Sequence, residues 1–385
     1  MDDGPALGLY IHIPFCQAKC LYCDFNSYPG LDALFDDYVA ALVREMEQAV
    51  QARVATIYLG GGTPTVLPLS HLARILEAAR RTFAVDAGAE ISLEANPGTV
   101  DAAKLDGLLA LGVNRLSLGI QSFDDRELQL LGRIHSAAQA TAAFRAARQV
   151  GFRNVNLDLL YGLPRQPLAA WQHSLERALD LQPDHLSLYA LTVEAGTPLA
   201  GAIACGELPA PDPDLAADMY ELAQEVLVAA GFVHYEISNW ARGSEFRCRH
   251  NLTYWRNEPY LGFGAGAHSW LDGRRWSSTS APAAYAAQVL RGERPLAGEE
   301  TIDPDLEIGE TMMLGLRLLD EGVTFARFHG RFGVHLERRF AGELADLARL
   351  DLIETDSQRV RLTGRGRLLG NQVFLRFLPD PVAEG

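Results

Sequence analysis

The stretch LGLYIHIPFCQAKCLYCDF, residues 7–25, joins an apolar run to three closely spaced cysteines. Residues 7–15 have the length and apolar content of a buried β-strand. Cys16, Cys20 and Cys23 follow on the loop at the carboxyl end of that strand, where parallel barrels place their reactive groups. The chain has five cysteines, and such an odd, clustered set is a poor disulfide framework. The three cysteines therefore indicate a metal site or reactive thiols.

Apolar strand-like runs alternate with stretches of helical periodicity through the first half of the chain. Strands are predicted at residues 7–15, 56–59, 90–95, 115–120, 155–160 and 185–191. Helices are predicted at residues 34–50, 69–83, 101–111, 137–150 and 168–181. Strand and helix in this order form βαβ units around a parallel sheet. Because a complete barrel of this type has eight units, about six units predict an α/β fold with a partial (β/α)6 barrel.

The alternation ends after a proline-rich linker, residues 208–213, and one more amphipathic helix at 215–230. We therefore assign residues 1–232 to the barrel with its cysteine loop. Residues 233–300 are assigned to an aromatic and irregular extension, which is rich in tyrosine and tryptophan. From 301 to 385 the pattern changes to helices followed by a short strand, which resembles a small winged-helix domain.

The composition is that of a globular protein, with 48% apolar residues and a net charge of −15. No stretch reaches the ~18 uncharged apolar residues that a membrane-spanning helix needs. The chain begins Met1-Asp2-Asp3-Gly4, the reverse of the basic start of a secretory signal, so a cytoplasmic protein is expected. The negative charge argues against nucleic acid as the main partner, because duplex binding depends on lysine and arginine at the phosphates. An anionic ligand would need a local basic pocket.

Three thiolates this close together can share one inorganic cluster. An iron–sulfur cluster held by three cysteines leaves one iron open to a small molecule. A structural zinc site needs four ligands, so the zinc interpretation requires His12 as the fourth. The run Gly60-Gly61-Gly62 after the second strand lets a ligand approach the backbone, although by itself it is also typical of an ordinary tight βα turn.

The motif Y-x-H-x-P-F-C-x3-C-x2-C-D-F, residues 10–25, resembles the cluster loop of the radical S-adenosylmethionine superfamily. It is similar to the branch that contains oxygen-independent coproporphyrinogen III oxidase and a family of haem chaperones. The resemblance implies a [4Fe-4S] cluster held by Cys16, Cys20 and Cys23. It also implies that the open iron takes the amino and carboxylate groups of S-adenosylmethionine, whose one-electron cleavage yields methionine and a 5′-deoxyadenosyl radical.

Polar residues stand where the apolar strands end, and several of them meeting at one mouth indicate a ligand site. A single buried carboxylate, by contrast, is more often a satisfied core group. The resemblance assigns S-adenosylmethionine binding to eight residues. They are Tyr10, Gly61, Gly62, Thr63, Glu94, Gln121, Arg133 and Asp158.

Two departures separate the chain from the oxidase of this branch. Phe25 stands where the oxidase motif has a fourth cysteine. Only nine residues precede Tyr10, so the long N-terminal segment that closes over the oxidase substrate is expected to be missing. Both features resemble the haem chaperones. The segment CRHNLTYW, residues 248–255, also contains the H-N-x-x-Y-W pattern that resembles their haem-binding motif. The resemblance assigns haem binding to His250, Asn251, Tyr254 and Trp255.

The chemistry of this segment suits haem. Histidine is a common axial ligand of haem iron, with the thiolate of Cys248 as a rival, and the rings of Tyr254 and Trp255 can stack on a porphyrin. Four nearby arginines are candidates for pairing with the two haem propionates, and would form the local basic pocket. They are Arg242, Arg247, Arg249 and Arg256.

A second group of arginines lies near the carboxyl end without an intervening acid. Its members are Arg359, Arg361, Arg365, Arg367 and Arg376. A winged-helix outline with arginines is compatible with nucleic acid, but equally with a solvated face or a docking surface for a protein or an anionic membrane. We expect no nucleic-acid partner and leave a peripheral membrane contact open.

The sequence therefore predicts a haem chaperone that carries a [4Fe-4S] cluster and S-adenosylmethionine, binds haem, and delivers it to haem proteins, respiratory ones included. The alternative is an oxygen-independent coproporphyrinogen III oxidase, which decarboxylates propionate side chains to vinyl groups. A third hypothesis is an α/β protein stabilised by zinc. Iron and sulfide analysis separates the third hypothesis from the other two.

Overall fold

A computed structural model describes residues 6–379 of the chain. A sheet of twelve strands runs through most of the described residues, and a separate three-stranded sheet lies near the carboxyl end. The expectation drawn from Met1 to Gly4 falls outside the described residues. Between residues 6 and 379, no helix is both long enough and apolar enough to cross a membrane.

The strands are β1 (Leu7–Ile13), β2 (Phe15–Cys16), β3 (Tyr28–Pro29), β4 (Arg53–Gly61), β5 (Ala84–Ala95), β6 (Arg115–Gln121), β7 (Val155–Tyr161), β8 (His185–Ala190), β9 (Val233–Glu236), β10 (Asn239–Ala241), β11 (Tyr260–Phe263), β12 (His268–Leu271), β13 (Arg274–Ser278), β14 (Leu296–Thr301), β15 (Val323–Thr324), β16 (Ile353–Thr355) and β17 (Arg359–Leu362).

The helices are α1 (Phe35–Glu47), α2 (Leu69–Thr82), α3 (Ala102–Ala110), α4 (Asp125–Leu130), α5 (Ala137–Val150), α6 (Leu168–Asp180), α7 (Pro198–Ala204), α8 (Pro213–Ala229), α9 (Arg249–Trp255), α10 (Pro282–Leu290), α11 (Pro304–Gly315), α12 (Phe325–Phe332), α13 (Leu336–Arg339), α14 (Ala341–Arg349), α15 (Gly364–Leu368) and α16 (Gly370–Phe374). Short 3-10 turns lie at Asp32–Leu34, Pro64–Val66, Pro97–Thr99, Ser244–Phe246 and Leu375–Phe377.

The centre of the large sheet consists of parallel strands in the order β1-β4-β5-β6-β7-β8. These are the six predicted strands, and helices occur between them along the chain, so the partial (β/α)6 barrel is confirmed. A seventh parallel strand, β11, pairs with the outer side of β1. Within the described residues the two edge strands of the sheet, β14 and β9, do not pair with each other, so the sheet stays open.

The extension at 233–300 is more regular than its sequence predicts. Its strands lengthen the sheet at both edges, with β10 and β9 beyond β8, and β11 to β14 beyond β1. All six of these strands are three to six residues long, and every residue of β14 is exposed. Such short strands carry too few apolar positions to give the alternating pattern from which a strand is recognised. The description of this region as irregular was therefore wrong.

Local signals fix the helix ends. The bounds of α5 are those predicted, whereas α8 begins two residues earlier than predicted, at Pro213, and ends at Ala229. At the start of α5 the Ser136 hydroxyl accepts from the backbone N–H of Gln139, and the side-chain oxygen of Gln139 accepts from the backbone N–H of Ser136. The helix ends at Gly151, whose φ of +109° a residue with a side chain rarely adopts. Asp212 caps α8, and Pro213 occupies its first turn, where a missing N–H costs nothing.

Four separate apolar clusters lie in the described residues, and two of them are large. The larger core fills the space between the barrel strands and their helices, with Trp171 and Leu175 of α6 among its fully buried members. The smaller core, which extends from Ile308 to Phe377, joins α11 to α16 with the β15-β17-β16 sheet. Because this second core is distinct from the barrel core, we propose residues 301–385 as a domain of their own.

The arginines near the carboxyl end are engaged inside this region. Their partners are the Asp320 carbonyl for Arg359, the Glu354 carboxylate for Arg361, the Leu350 carbonyl for Arg365 and the Asp346 carboxylate for Arg376. Four of the five are therefore bound to groups of the chain itself. This arrangement favours a packing role over an open anion-binding surface.

Helix α9 lies against the amino-terminal half of the barrel strands and is held there by a buried acid. One carboxylate oxygen of Glu90, on β5, accepts from the backbone N–H of Arg249 at 2.9 Å, and the other accepts from that of His250 at 3.1 Å. The His250 ring bonds the hydroxyl of Thr56 on β4 at 2.8 Å. A Cβ added to Gly8 of β1 would lie 3.3 Å from the His250 ring, so the packing is close.

We predict that Glu90→Ala destabilises the protein, because it leaves two N–H groups of α9 without acceptors in a buried place. The expected loss is about 2–4 kcal/mol of unfolding free energy. Glu90→Gln keeps one acceptor oxygen and should lose less. Chemical denaturation measures both variants. The matched control is Glu293→Ala, which removes an exposed ion pair with Arg291 and should leave the midpoint in place. Equal midpoints for Glu90→Ala and wild type would contradict the anchoring role.

Candidate functional site

A cavity of about 390 Å³ opens at the carboxyl ends of the parallel strands. We call it the cluster cavity, because all three cysteines of the first loop line it together with residues from the ends of β4 to β8. Its polar lining includes Cys16, Cys20, Cys23, Gly61, Gly62, Thr63, Glu94, Asn96, Gln121, Arg133, Asp158 and Glu194. The structure therefore brings the three cysteines and the polar residues at the strand ends to the same mouth.

Each of the three cysteines is a free thiol with a polar neighbour. The Sγ of Cys16 lies 3.6 Å from the Thr63 hydroxyl, and the Sγ of Cys20 accepts from the Arg133 guanidinium at 3.4 Å. Cys23 lies 3.8 Å from the hydroxyl of Ser27. Burial raises the pKa of Cys16, and the two hydroxyl groups partly offset this rise.

The donor set fits an iron–sulfur cluster. In the described residues, no group of three or more His, Cys, Asp or Glu side chains is arranged to hold a single metal ion. A cluster does not require this arrangement, because each thiolate binds a different iron. His12, the fourth ligand of the zinc interpretation, has both ring nitrogens bonded, to the Tyr10 hydroxyl and the Asn26 carbonyl, each at 2.9 Å. The three thiols in one cavity therefore suit a cluster better than a zinc ion.

The glycine run after β4 lets the cysteine loop pack against that strand. The N–H of Gly62 donates to the Ile13 carbonyl at 2.9 Å, and that of Thr63 donates to the Phe15 carbonyl at 2.7 Å. A Cβ on Gly62 would lie 2.6 Å from the Phe15 carbonyl oxygen, closer than real Cβ contacts. At Gly61, where φ is +110°, a Cβ would meet the His12 ring at 2.4 Å. The sequence predicted that a ligand approaches the backbone of this glycine run. In the structure, the groups packed against the run belong to the chain itself, to the residues before and within the cysteine loop.

Seven of the eight residues assigned to S-adenosylmethionine line the cluster cavity. They are Gly61, Gly62, Thr63, Glu94, Gln121, Arg133 and Asp158. The eighth, Tyr10, lines the neighbouring cavity described below. Gln121 has a φ of +72°, an uncommon value for a residue with a side chain. The mouth of the sheet therefore brings together residues that lie far apart in the sequence.

The acids and the arginine of this cavity have different partners. Glu94 accepts from the Tyr58 hydroxyl at 2.7 Å and from the backbone N–H of Gly61 at 3.2 Å. Burial raises the pKa of Glu94 to about 7, against the opposing effect of the Tyr58 bond. Asp158 accepts from Ser117 at 2.9 Å, and burial raises its pKa as well. The Arg133 guanidinium donates to the Gly119 carbonyl at 2.5 Å, which fixes its direction.

The sequence did not single out several residues of the cavity. Asn96 donates to the Thr63 hydroxyl at 2.8 Å and accepts from Arg133 at 2.5 Å, so it links the glycine turn to the arginine. Tyr58 and Tyr189 also line the cavity. Asn96 and Tyr189 stand at strand ends, and this position is the feature by which the sequence could have identified them as cavity residues. Tyr58 gave no such signal, because it lies inside β4 and is indistinguishable there from a core residue.

A second cavity, of about 380 Å³, adjoins the first. We call it the aromatic cavity. Its lining residues are Tyr10, His12, Phe25, Asn26, Gly61, Glu94, Tyr254, Tyr260, Gly266 and His268. Phe25, Gly61 and Glu94 line both cavities, so the two are neighbours. Phe25, the residue that replaces the oxidase's fourth cysteine, is 65% exposed at this junction.

The four residues assigned to haem do not lie together. Tyr254 lines the aromatic cavity, where its ring meets that of Tyr260 edge-on at 4.7 Å. Asn251 is half-buried on α9. Trp255 lies under the guanidinium of Arg317, 4.4 Å from its ring, and lines a small cavity with residues of the C-terminal region. Of the two predicted stacking rings, only Tyr254 lines the aromatic cavity.

Neither predicted axial ligand is free in this structure. His250 is 1% exposed, and its ring nitrogens bond the hydroxyls of Thr56 at 2.8 Å and Tyr254 at 2.9 Å. Burial, helped by the charge of Arg115, lowers the pKa of His250 to about 3. Cys248 is fully buried, and burial raises its pKa to about 12. His250 therefore acts here as a bonded core histidine that holds Tyr254 in place.

The expected basic pocket for the propionates does not form. Each of the four arginines has a partner within the chain: the Pro183 carbonyl for Arg242, the Asp320 carboxylate for Arg247, the Gly88 carbonyl for Arg249 and the Glu321 carboxylate for Arg256. None of the four lines the aromatic cavity. Their proximity in sequence does not give them a common partner. Arg242 follows β10, Arg247 follows the 3-10 turn, Arg249 begins α9 and Arg256 follows its last residue.

Comparison with known proteins agrees with this geometry. Residues 10–178 match the radical SAM superfamily, and residues 302–369 match the HemN C-terminal domain. The heme chaperone HemW of Bacillus subtilis (strain 168) is 40% identical over 376 residues, with 96% of this chain and 99% of that protein covered. The heme chaperone HemW of Mycobacterium tuberculosis (strain H37Rv) is also 40% identical, with 97% and 95% covered.

The structure of coproporphyrinogen III oxidase (HemN) from Escherichia coli, described as a radical SAM enzyme, superposes with a TM-score of 0.83 at 26% identity. The match covers 97% of this chain and 90% of that one. The chain thus shares its fold with HemN. Its sequence identity over nearly the full length is higher to the heme chaperones, at 40% against 26%. The chain belongs to the HemW family of the radical SAM superfamily.

Proposed function

We propose that this protein binds haem in the aromatic cavity and delivers it to proteins that require haem, respiratory proteins among them. The observation that carries the proposal is the position of this cavity, which is lined by four aromatic rings and adjoins the three-cysteine site. Flat apolar macrocycles pack well against aromatic side chains. Relatives that cover nearly the whole chain carry the name heme chaperone, which supports the choice of haem as the ligand.

We further propose that Cys16, Cys20 and Cys23 hold a [4Fe-4S] cluster. One-electron reduction of S-adenosylmethionine is the chemistry that such a cluster supplies when it is bound. Arg133 lies beside the Cys20 thiol and is oriented by the Gly119 carbonyl, so it is placed to pair with a carboxylate at the cluster.

The acids of the cluster cavity complete the proposed S-adenosylmethionine site. Glu94 and Asp158 present acceptor oxygens for the amino and hydroxyl groups of this ligand. Gly61 and Gly62 offer backbone without side chains on the same wall.

The H-N-x-x-Y-W segment has a positioning role in this proposal. Tyr254 contributes a ring to the aromatic cavity, and His250 holds its hydroxyl at 2.9 Å. The segment is in turn fixed to the barrel by Glu90. We therefore assign Tyr254 to the haem-binding wall, His250 to its support, and Trp255 to the contact with the C-terminal region.

The second candidate function is oxygen-independent coproporphyrinogen III oxidase, favoured by the close match to the HemN fold. The two functions differ in their product. Anaerobic incubation of the cluster-loaded protein with coproporphyrinogen III, S-adenosylmethionine and a reductant should give no protoporphyrinogen if the protein is a chaperone. Formation of that product over many turnovers would replace the chaperone proposal with the oxidase.

Removal of one cluster ligand should abolish cluster assembly. Wild type should contain about four iron and four sulfide per chain after anaerobic reconstitution. Cys16→Ala should lose most of both, because two thiolates do not hold the cluster stably. Cys205→Ala is the matched control, since Cys205 is an exposed free thiol outside the cavity, and its iron content should equal that of wild type. Zinc without sulfide in the wild type would contradict the cluster assignment.

A side chain added between β4 and the cysteine loop should displace the loop. We predict that Gly62→Ala forces the loop away from β4 and lowers iron incorporation, because the added Cβ meets the Phe15 carbonyl. Gly98→Ala adds the same methyl group where no atom lies within 4 Å and should load normally. Circular dichroism checks that both variants fold. Full iron content in Gly62→Ala would contradict the packing argument.

Haem binding should be saturable and separable from the cluster. In an anaerobic titration of the cluster-loaded wild type, the Soret band should reach saturation at one haem per chain. Tyr254→Ala should weaken binding, because it removes an aromatic wall of the cavity, while its iron–sulfur content stays at the wild-type level. Addition of a haem-free acceptor protein should then remove the haem. A titration that never saturates would contradict the proposal.

A further inference from the structure

Three histidines lie in or next to the aromatic cavity, and they differ in whether their ring nitrogens are free. Coordination of haem iron needs an imidazole nitrogen with an available lone pair. His12 has one ring nitrogen bonded to Tyr10 and the other to Asn26. His250 has its two nitrogens bonded to Thr56 and Tyr254. Neither can reach an iron atom without the loss of a buried hydrogen bond.

His268 is the third histidine, and it meets the requirement. It begins β12, is exposed, and lines the aromatic cavity. Within residues 6–379, its ring makes no hydrogen bond, ion pair or ring contact. No sequence pattern distinguishes this histidine, because it lies outside the H-N-x-x-Y-W segment. Only the folding of β12 beside β11 brings it to the cavity that Tyr254 lines.

The backbone of His268 is held in place by the strands on both sides of it. His268 pairs with Ser277 of β13. On the other side, the Ser269 hydroxyl accepts from the backbone N–H of Gly262 at 2.8 Å. A Cβ on Gly262 would come within 2.0 Å of the His268 carbonyl oxygen, so β11 and β12 approach closely here. A ligand on a rigid strand loses little freedom on binding.

The cavity on the other side of His268 is polar. We call it the serine cavity; it is lined by Ser277, Ser278 and Ser280 and by the exposed Lys19 and Asp24. His268 and Phe25 line both this cavity and the aromatic cavity. An apolar space thus meets a hydroxyl-rich space at a free imidazole. This is the polarity that haem itself has, with an apolar ring and two propionates on one edge. The hydroxyl-rich space holds one lysine and one aspartate, and the lysine ammonium donates to the Phe25 carbonyl at 3.1 Å, which leaves it two further N–H groups.

We propose that His268 is the axial ligand of haem iron in this protein. The proposal rests on haem binding as the proposed function and names the residue that binds the iron. The macrocycle lies in the aromatic cavity against Tyr254 and Tyr260. The propionates point to the serine cavity, where Lys19 and the serine hydroxyls bind them. His250 does not coordinate iron and acts through Tyr254.

The test is an anaerobic haemin titration of the cluster-loaded protein, with absorption and electron paramagnetic resonance spectra of wild type, His268→Ala and His268→Cys. His268→Ala should bind haem at least about ten-fold more weakly, with a changed Soret position. Added imidazole should restore the wild-type spectrum, because it replaces the missing ligand. His268→Cys should give the spectrum of a thiolate-bound haem. A residue with only a structural role would show neither the rescue nor the thiolate spectrum.

Two control variants separate the outcomes. His335→Ala removes another exposed histidine, in the C-terminal region, and should bind haem as wild type does. His250→Ala should weaken binding without a change of ligand spectrum. If wild type binds haem and His268→Ala shows the same affinity and spectrum, the ligand assignment is overturned while haem binding stands. If His250→Ala instead responds to imidazole, His250 is the ligand. If wild type binds no haem, both proposals fail.

Discussion

The parallel register of β1, β4, β5, β6, β7 and β8 is the constraint on which the rest of the structure depends. In a parallel sheet, every strand ends on the same edge, and residues distant in sequence become neighbours there. The cysteine loop after β1, the glycine run after β4 and Glu94 near the end of β5 therefore meet in one cavity. Any slip between strands would move these groups by several ångströms relative to one another. The hydrogen-bonded sheet thus places the three cysteines beside the residues proposed to hold S-adenosylmethionine.

The opposite half of the barrel is occupied by the chain itself. Helix α9 packs there, and Glu90 of β5 and Thr56 of β4 bind its backbone and the His250 ring. A chain of contacts then runs from Glu90 through His250 to the Tyr254 hydroxyl. The H-N-x-x-Y-W segment is thus a wall of the aromatic cavity, with its histidine behind that wall. The position of Tyr254 therefore depends on the contacts of α9 with the barrel strands.

The sequence predicted the barrel well because its strands are buried on both faces. Such strands are continuous apolar runs, and the helices between them have one apolar face, so both patterns are strong. The strands of the extension are short and partly exposed, and they were missed. Glu94 and Gln121 of the cluster cavity were predicted by their position at strand ends, although Asn96 and Tyr189 were passed over in similar positions. Tyr58 and His268 were not predicted, because the first lies inside a strand and the second depends on a pairing between distant strands.

The role of His250 shows where a motif stops being informative. Residue types in H-N-x-x-Y-W suit haem, yet a pattern does not reveal which ring nitrogen is already bonded. The same holds for the four arginines, whose partners lie far away in the sequence.

The most direct test of the account is a crystal structure of the cluster- and haem-loaded protein with anomalous scattering at the iron edge. We predict one iron peak at Cys16, Cys20 and Cys23 and a second beside His268 in the aromatic cavity. A second peak beside Trp255, or on the surface of the C-terminal region, would contradict it.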